Sequence, residues 1–401
     1  MRVLIVSDVY FPRVNGVSTA IETYRRTLGA EGVEVQLIAP SYGVANSTAE
    51  ESWVTRVQSR PVPFDPEDRL VRWGAMQRIV AEAVQSADLV HIQTPFAAHY
   101  AGLKAARARG VPVVATYHTL FEEYLQHYAR FLPASWLRGQ ARRFSAGQCN
   151  ALDAVIVPSL AMEERLRSYG VHQPLHVLPT GIPVARFQVG DGAAFRHRHG
   201  IDLQRPVALF VGRGAHEKNI GFLLEALLHC RQQCPDVLLL ITGEGPAVPD
   251  LRKQVERLQL QDNVCFLGYL HRATELPDCY AAANVFAFAS RTETQGLVLL
   301  EAMASGLPVV ALAEMGTRDI LLGATGAFTP EDHPARFGEV LARVLNDRSQ
   351  WLALGAAARQ HAAAWRDSAI AGRLAGLYRK IIETPMPDGV QWKAPTKEKP
   401  A

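Results

Sequence analysis

Asn284–Leu312 reads NVFAFASRTETQGLVLLEAMASGLPVVAL, and the order of its parts decides the fold. Asn284–Ser290 and Leu307–Leu312 are short apolar runs of strand length, and Leu297–Ser305 between them has the make-up of a buried helix. Two strands joined by a single helix form a parallel pair with a crossover. The loop before the helix, by contrast, is polar and carries Glu293.

Outward from this unit the same alternation continues in both directions. On the N-terminal side, strands are expected at Val3–Val6, Val33–Ala39, Ala87–Gln93, Pro112–Tyr117 and Asp153–Ser159, with a helix at Ser18–Leu28. Residues 1–178 then make one doubly wound domain. The Pro-, Gly-, His- and Arg-rich stretch 179–205 reads as an interdomain connection, after which Val207–Gly212 restarts the pattern. Val237–Gly243 and Asn263–Gly268 join the opening unit in a second doubly wound domain, 206–367. An amphipathic helix at 368–383 precedes a Pro- and Lys-rich segment, 384–401, expected to be a mobile tail. The fold class is therefore α/β: two facing Rossmann-like, doubly wound parallel-sheet domains. The carboxyl ends of their strands line a central cleft where a ligand would sit.

Composition narrows the function. The 48% apolar content fills two cores, and 42 basic against 39 acidic residues leave a net charge of +3, too small a bias to indicate nucleic acid. No apolar run approaches the roughly 20 residues of a membrane span, and MRVLIVSD breaks at Asp8, so a cytoplasmic protein is expected. Five scattered cysteines read as reduced core residues.

Glu301 is the anomaly in the apolar helix. At 100° per residue it falls between Leu297 and Ser305, flanked by Val298 and Leu300, with no charged neighbour to share a polar face. A carboxylate buried there needs an internal donor, such as backbone amides or an arginine, or else the hydroxyl groups of a ligand. Glu293, on the preceding loop, can look into the same crevice. The amides of Gln295, Gly296 and Leu297 open the helix beside it and add hydrogen-bond donors.

Cations complement these acids. The turn after Val207–Gly212 places Arg213 directly beyond a strand, and Lys218 just before Asn219, the expected N-cap of the next helix; together they make an anion site. In the first domain the equivalent turn holds Asn15-Gly16-Val17 ahead of a helix. No G-x-G-x-x-G is present there, which argues against a nicotinamide-type site, while Gly16 still lets backbone amides approach an anion. A site for something both anionic and rich in hydroxyls points to a nucleotide-sugar, with no separate cofactor. No D-x-D pair is present to bridge a metal, so no metal ligands are assigned, and the two cations and the amides would stabilise a leaving diphosphate.

GRGAHEKN followed by TETQGLVLLEAMASGLPVVA resembles the retaining glycosyltransferases of family 4, which have the GT-B fold. The spacing of Glu293 and Glu301 matches their E-x7-E motif, and NGV, VHIQTP, TYHT and PTGIPVARF occur in the family's order over nearly the whole chain. The resemblance implies transfer of a hexose from a UDP-sugar such as UDP-glucose, without a metal, by front-face displacement in which the leaving phosphate helps deprotonate the acceptor. It implies that Gly16 meets the donor phosphates, His118 lies beside the transferred sugar, Arg213 and Lys218 grip the diphosphate, Glu293 touches the sugar and Glu301 the ribose. Two positions depart from the pattern: Thr180 stands where an Asn precedes glycine in the linker, and Gln295 where an aromatic often precedes the loop glycine.

His118–Phe144 interleaves aromatics with arginines, a make-up suited to a lipid headgroup interface, and Tyr124, Tyr128, Arg130 and Trp136 are its acceptor or membrane candidates. TYHTLFEEYLQHY also resembles family members that glucosylate diacylglycerol. A lipid or sugar acceptor, and docking on an anionic inner membrane face, are the expectations that follow. A sugar or polysaccharide acceptor, a nucleotide-sugar epimerase and a non-catalytic binding module are the competing readings.

Overall fold

The computed structural model describes residues 1–43, 52–62, 65–118 and 134–384. The first sheet takes β1 (Arg2–Val6), β2 (Glu34–Pro40), β3 (Val54–Val57), β6 (Leu89–Ile92), β7 (Val113–Thr116), β8 (Ala154–Val157) and β9 (Leu175–Val177) in the order β3-β2-β1-β6-β7-β8-β9. Between β3 and β6 in the chain, β4 (Ser59–Val62) and β5 (Asp65–Val71) form a separate antiparallel hairpin. The second sheet takes β10 (Val207–Val211), β11 (Leu238–Thr242), β12 (Val264–Gly268), β13 (Val285–Phe288), β14 (Val309–Ala311) and β15 (Ala327–Phe328) in the order β12-β11-β10-β13-β14-β15. All neighbouring pairs in both sheets are parallel.

The central strands explain this arrangement. β6, β8, β10, β11 and β13 are buried along their whole length and consist almost entirely of apolar residues, the pattern of strands covered by helices on both faces. The opening unit is present as read: β13, the helix Leu297–Ser305, then β14, with Phe286 in register with Val309. In each sheet the chain reverses its direction of winding next to the first strand, between β1 and β6 and between β10 and β13. Those two switch points are where an open parallel sheet offers a crevice.

The chain crosses between the two halves twice, side by side. Ile182 N donates to Trp365 O at 3.0 Å, and Asp367 N to Ile182 O at 3.0 Å. Beyond the first crossing, Val184, Phe187, Phe195 and Ile201 bury into the second core. Beyond the second, the helix Asp367–Glu383 returns to the first half, where Ile370, Leu374 and Tyr378 pack with Ile21 and Tyr24 of the helix Gly16–Leu28. All five cysteines are free and four are buried. The segment 385–401 and the candidates Tyr124, Tyr128 and Arg130 lie outside the described residues.

Candidate active site

The loops after β10 and β13 meet at the switch point of the second sheet, and this brings two of the candidates together. Lys218 Nζ donates to Glu293 Oε1 at 2.5 Å, both side chains being mostly buried. Arg213, on the same β10 loop, is exposed. Asn219 stands at the N-cap of the helix Ile220–Gln233, as expected, but its side chain makes no capping hydrogen bond. With φ at 55° its carboxamide swings away, and Nδ2 donates to Ala289 O at 3.0 Å, tying the β10 loop to the end of β13.

Gln295, Gly296 and Leu297 follow Glu293 into the next helix. Gly296 has φ at 93°, a conformation glycine adopts without strain, and the first turn of the helix holds no acidic residue. Its amides and the dipole therefore remain available to a negative charge. The same contrast marks the first sheet. The helix Gly16–Leu28 has Asn15 as its N-cap, with Oδ1 accepting from Ser18 N at 2.9 Å, and no acid in its first turn. Gly16 is exposed, with open space where a Cβ would be. The neighbouring helix Ala97–Arg109 is instead occupied by Asp8, whose carboxylate accepts from Ala98 N and from Thr94 Oγ1 at 2.8 Å. Burial pushes Asp8 up to about 6 against the pull of those hydrogen bonds.

His118 faces this junction from the end of β7. Its Nε2 pairs with Gln93 Oε1 at 2.7 Å, and its carbonyl oxygen accepts from Thr294 Oγ1 at 3.0 Å, across the two halves. Burial holds the imidazole neutral, lowering its pKa from 6.5 to about 4. The unfolded chain binds this proton near 6.5, so the stability linked to His118 is present above that pH and is lost as pH falls toward 4. Over pH 5.5–8 the rate profile is expected to lack an inflection from His118, and His118→Asn to lower the rate without changing the profile's shape. Steady-state rates across that range check this.

Glu301 is fully buried, and the chain supplies its partners: Arg272 Nη2 donates to Oε1, and Tyr280 OH to Oε2 at 3.0 Å. Of the two ways to satisfy a carboxylate there, the fold shows the internal donor. Arg272 remains about a quarter exposed, so the pair borders solvent. Sequence reading passed over Arg272, which sits in an unremarkable loop after β12. It also passed over the paired glycines of VGRG and TGEG. A Cβ on Gly243 would lie 2.0 Å from Gly212 O, and one on Gly245 would lie 2.5 Å from Gly214 O, so the loops after β10 and β11 pack backbone on backbone beneath Arg213. The visible signal was two G-x-G triplets following adjacent strands. Trp136 is exposed near the start of the helix Ala134–Asn150.

Two facing doubly wound halves, with cations, acids and free helix amides at their switch points, define a glycosyltransferase of the GT-B class. Residues 14–186 match the model described as Glycosyltransferase Family 4, and residues 192–361 the model described as Glycosyl transferases group 1. The chain is 33% identical over 320 residues to the alpha-monoglucosyldiacylglycerol synthase of Streptococcus pneumoniae, covering 78% of this chain and 71% of that protein. It is 29% identical to a GDP-mannose-dependent alpha-mannosyltransferase of Mycobacterium tuberculosis, over 88% and 90% of the two chains. Among solved structures, Anabaena HepE in complex with UDP superposes with a TM-score of 0.74 at 20% identity, covering 95% of this chain and all of that one. This chain belongs to glycosyltransferase family 4. That membership sets aside the epimerase and the non-catalytic module.

Proposed function

We propose that this enzyme transfers a hexose from a UDP-sugar to a hydroxyl of a lipid acceptor such as diacylglycerol, retaining anomeric configuration and needing no metal. The observation that carries the reading is the Lys218–Glu293 pair set between a helix N-terminus free of acids and His118 of the opposite half. Lys218, Arg213 and the amides of Gln295, Gly296 and Leu297 hold the diphosphate and take up the charge that develops as it leaves. The free N-terminus at Gly16 adds amides from the other side. Glu293 accepts from the sugar, neutral His118, whose Nε2–H is given to Gln93 Oε1, accepts from a sugar hydroxyl at Nδ1, and Arg272, held at the border of solvent by the buried Glu301, receives the ribose.

A lipid acceptor is supported by the first half's carboxyl edge. The helices Trp73–Ala83, Ala97–Arg109 and Ala134–Asn150 all begin there, and Trp73, Phe96, Tyr100 and Trp136 are each at least two-fifths exposed. Exposed Arg72, Arg138 and Arg143 lie among them, the mixture that binds an anionic interface. No described helix is long and apolar enough to cross a membrane; the attachment proposed is peripheral, on the cytoplasmic face, through these exposed aromatics and arginines. The relative from Streptococcus pneumoniae is named for a glucosyl-diacylglycerol product.

The test is transfer from UDP-glucose to diacylglycerol in vesicles with and without anionic lipid, in the presence of a chelator. Transfer that survives the chelator, rises with anionic lipid and gives the α-product supports the reading. Transfer only to soluble sugars would replace the lipid acceptor with a sugar acceptor. Flotation with the same vesicles gives a further expectation: Trp73→Ala with Trp136→Ala should lower binding about tenfold or more, at roughly 1 kcal/mol or more per interfacial aromatic.

A further inference from the structure

We propose that Gln295 is a positioning residue whose side chain latches the sugar-side loop to the interdomain linker, so that bringing the two halves together and placing Glu293 are one event. The role in transfer rests on the glycosyltransferase reading above; the latch itself rests on geometry. Gln295 Oε1 accepts from Thr180 N at 2.8 Å, and Gln295 Nε2 donates to Thr180 O at 2.8 Å. A backbone N–H can only donate and a carbonyl only accept, so this pairing admits one orientation of the carboxamide. Both residues are buried, at 5% and 4% exposure, so losing either partner strands polar groups out of reach of water.

The two positions that depart from the family pattern are thus in contact with each other. A phenylalanine side chain at 295 would have no group able to satisfy either the amide or the carbonyl of Thr180. Thr294, one residue earlier, is held by the first half as well: its Oγ1 donates to His118 O at 3.0 Å, and its carbonyl accepts from Ser159 Oγ at 2.8 Å. Glu293, next in line, is held by the second half, through Lys218 and through Gly316 N, which donates to its carbonyl at 2.9 Å. The loop is therefore fastened to opposite halves at adjacent residues. Any separation of the halves must break the bonds of Thr294 to His118 and Ser159 or pull the loop, and Glu293 with it, off Lys218, while the Thr180 pair ties the same loop to the linker.

The linker end of the latch is equally fixed. A Cβ on Gly181 would lie 2.5 Å from Asp367 Cα, so the outgoing and returning crossings touch. The Tyr24 phenol lies beside the Thr180 and Thr116 side chains. From Thr116 buried hydrogen bonds run to His91 at 2.7 Å, and from His91 to Tyr378 of the last helix at 2.6 Å. The donor loop, the linker and the C-terminal helix are thereby parts of one polar network.

Gln295→Glu and Gln295→Leu test this. The protonated Glu side chain keeps one donor and one acceptor and can replace the carboxamide, whereas its anion faces the Thr180 carbonyl. The titratable groups around it are Glu293 with Lys218, His118 at the end of β7, Tyr24, and Asp367 paired with Arg26 against the linker; the wild-type profile, measured in parallel, subtracts their effects. Gln295→Glu is expected to approach wild-type kcat at low pH and to lose activity as pH rises. Gln295→Leu is expected to lose on the order of 10- to 100-fold in kcat at every pH, with UDP affinity within about threefold. Hydrogen exchange of the full-length protein supplies a readout independent of activity: the Thr180 amide should exchange faster in both variants at neutral pH. Unchanged exchange at Thr180 overturns the latch even if transfer proceeds, and faster exchange with unaltered kcat overturns its positioning role. Should no sugar nucleotide support transfer, the exchange result still decides whether the latch exists.

Discussion

Glu293→Gln is expected to lower the transfer rate by about 10²- to 10³-fold while leaving UDP affinity within about threefold of wild type. The two effects separate because Glu293 has two jobs. Its Oε1 neutralises Lys218 at 2.5 Å, and its carboxylate accepts from the sugar in the proposed complex. The amide keeps the shape but not the charge. Lys218 is then free to turn fully to the diphosphate, which preserves nucleotide binding, while the sugar loses its strongest acceptor. Lys218→Ala should instead weaken both binding and turnover. Steady-state kinetics with calorimetric titration of UDP distinguish these outcomes, and unaltered turnover in Glu293→Gln would remove its sugar-side role.

Glu301→Leu should be the most destabilising of the site substitutions. Removing one partner of a buried ion pair costs about 3–5 kcal/mol, because the other partner keeps its desolvation cost without compensation. Here the loss leaves Arg272 without its carboxylate and Tyr280 OH without its 3.0 Å acceptor. Denaturant unfolding checks the stability, and the donor KM measured on the folded fraction checks the ribose contact. A lowered midpoint with an unchanged KM would make Glu301 a purely structural residue. A raised KM with no loss of stability would show instead that the ribose, and not Arg272, is its true partner.

What the sequence made legible was whatever depends on short-range pattern. Strands buried on both faces announce themselves as unbroken apolar runs, so the order of elements around Leu297–Ser305 and the two-sheet architecture could be read directly. Weaker elements could not. β3 is mostly half-exposed with an arginine inside it, β15 has two residues, and β9 has three half-buried ones; their pairing comes from the sheet edge they complete. Lys218 and Glu293 were named separately, and it is the parallel register of β10 and β13 that makes them neighbours 75 residues apart.

Long-range partners were the part that remained hidden. A buried glutamate says only that it needs a donor; that the donor is Arg272 depends on how the loop after β12 folds back over the helix. Asn219 does stand at the N-cap its residue type favours, but its side chain ties the β10 loop to the end of β13 instead of capping the helix, which only the fold reveals. Gln295 and Thr180 looked like two unrelated departures until the chain reversal at the linker placed one against the other.

A nucleotide-sugar is expected to be gripped by its diphosphate at the junction of the two halves, beside Lys218 and Glu293. Calorimetric titration of UDP into the wild-type protein and into Arg213→Ala with Lys218→Ala tests it most directly. Saturable binding of one UDP per chain, weakened by about 100-fold or more in the double variant, is the predicted result. Binding of undiminished strength in the double variant would place the nucleotide away from Arg213 and Lys218.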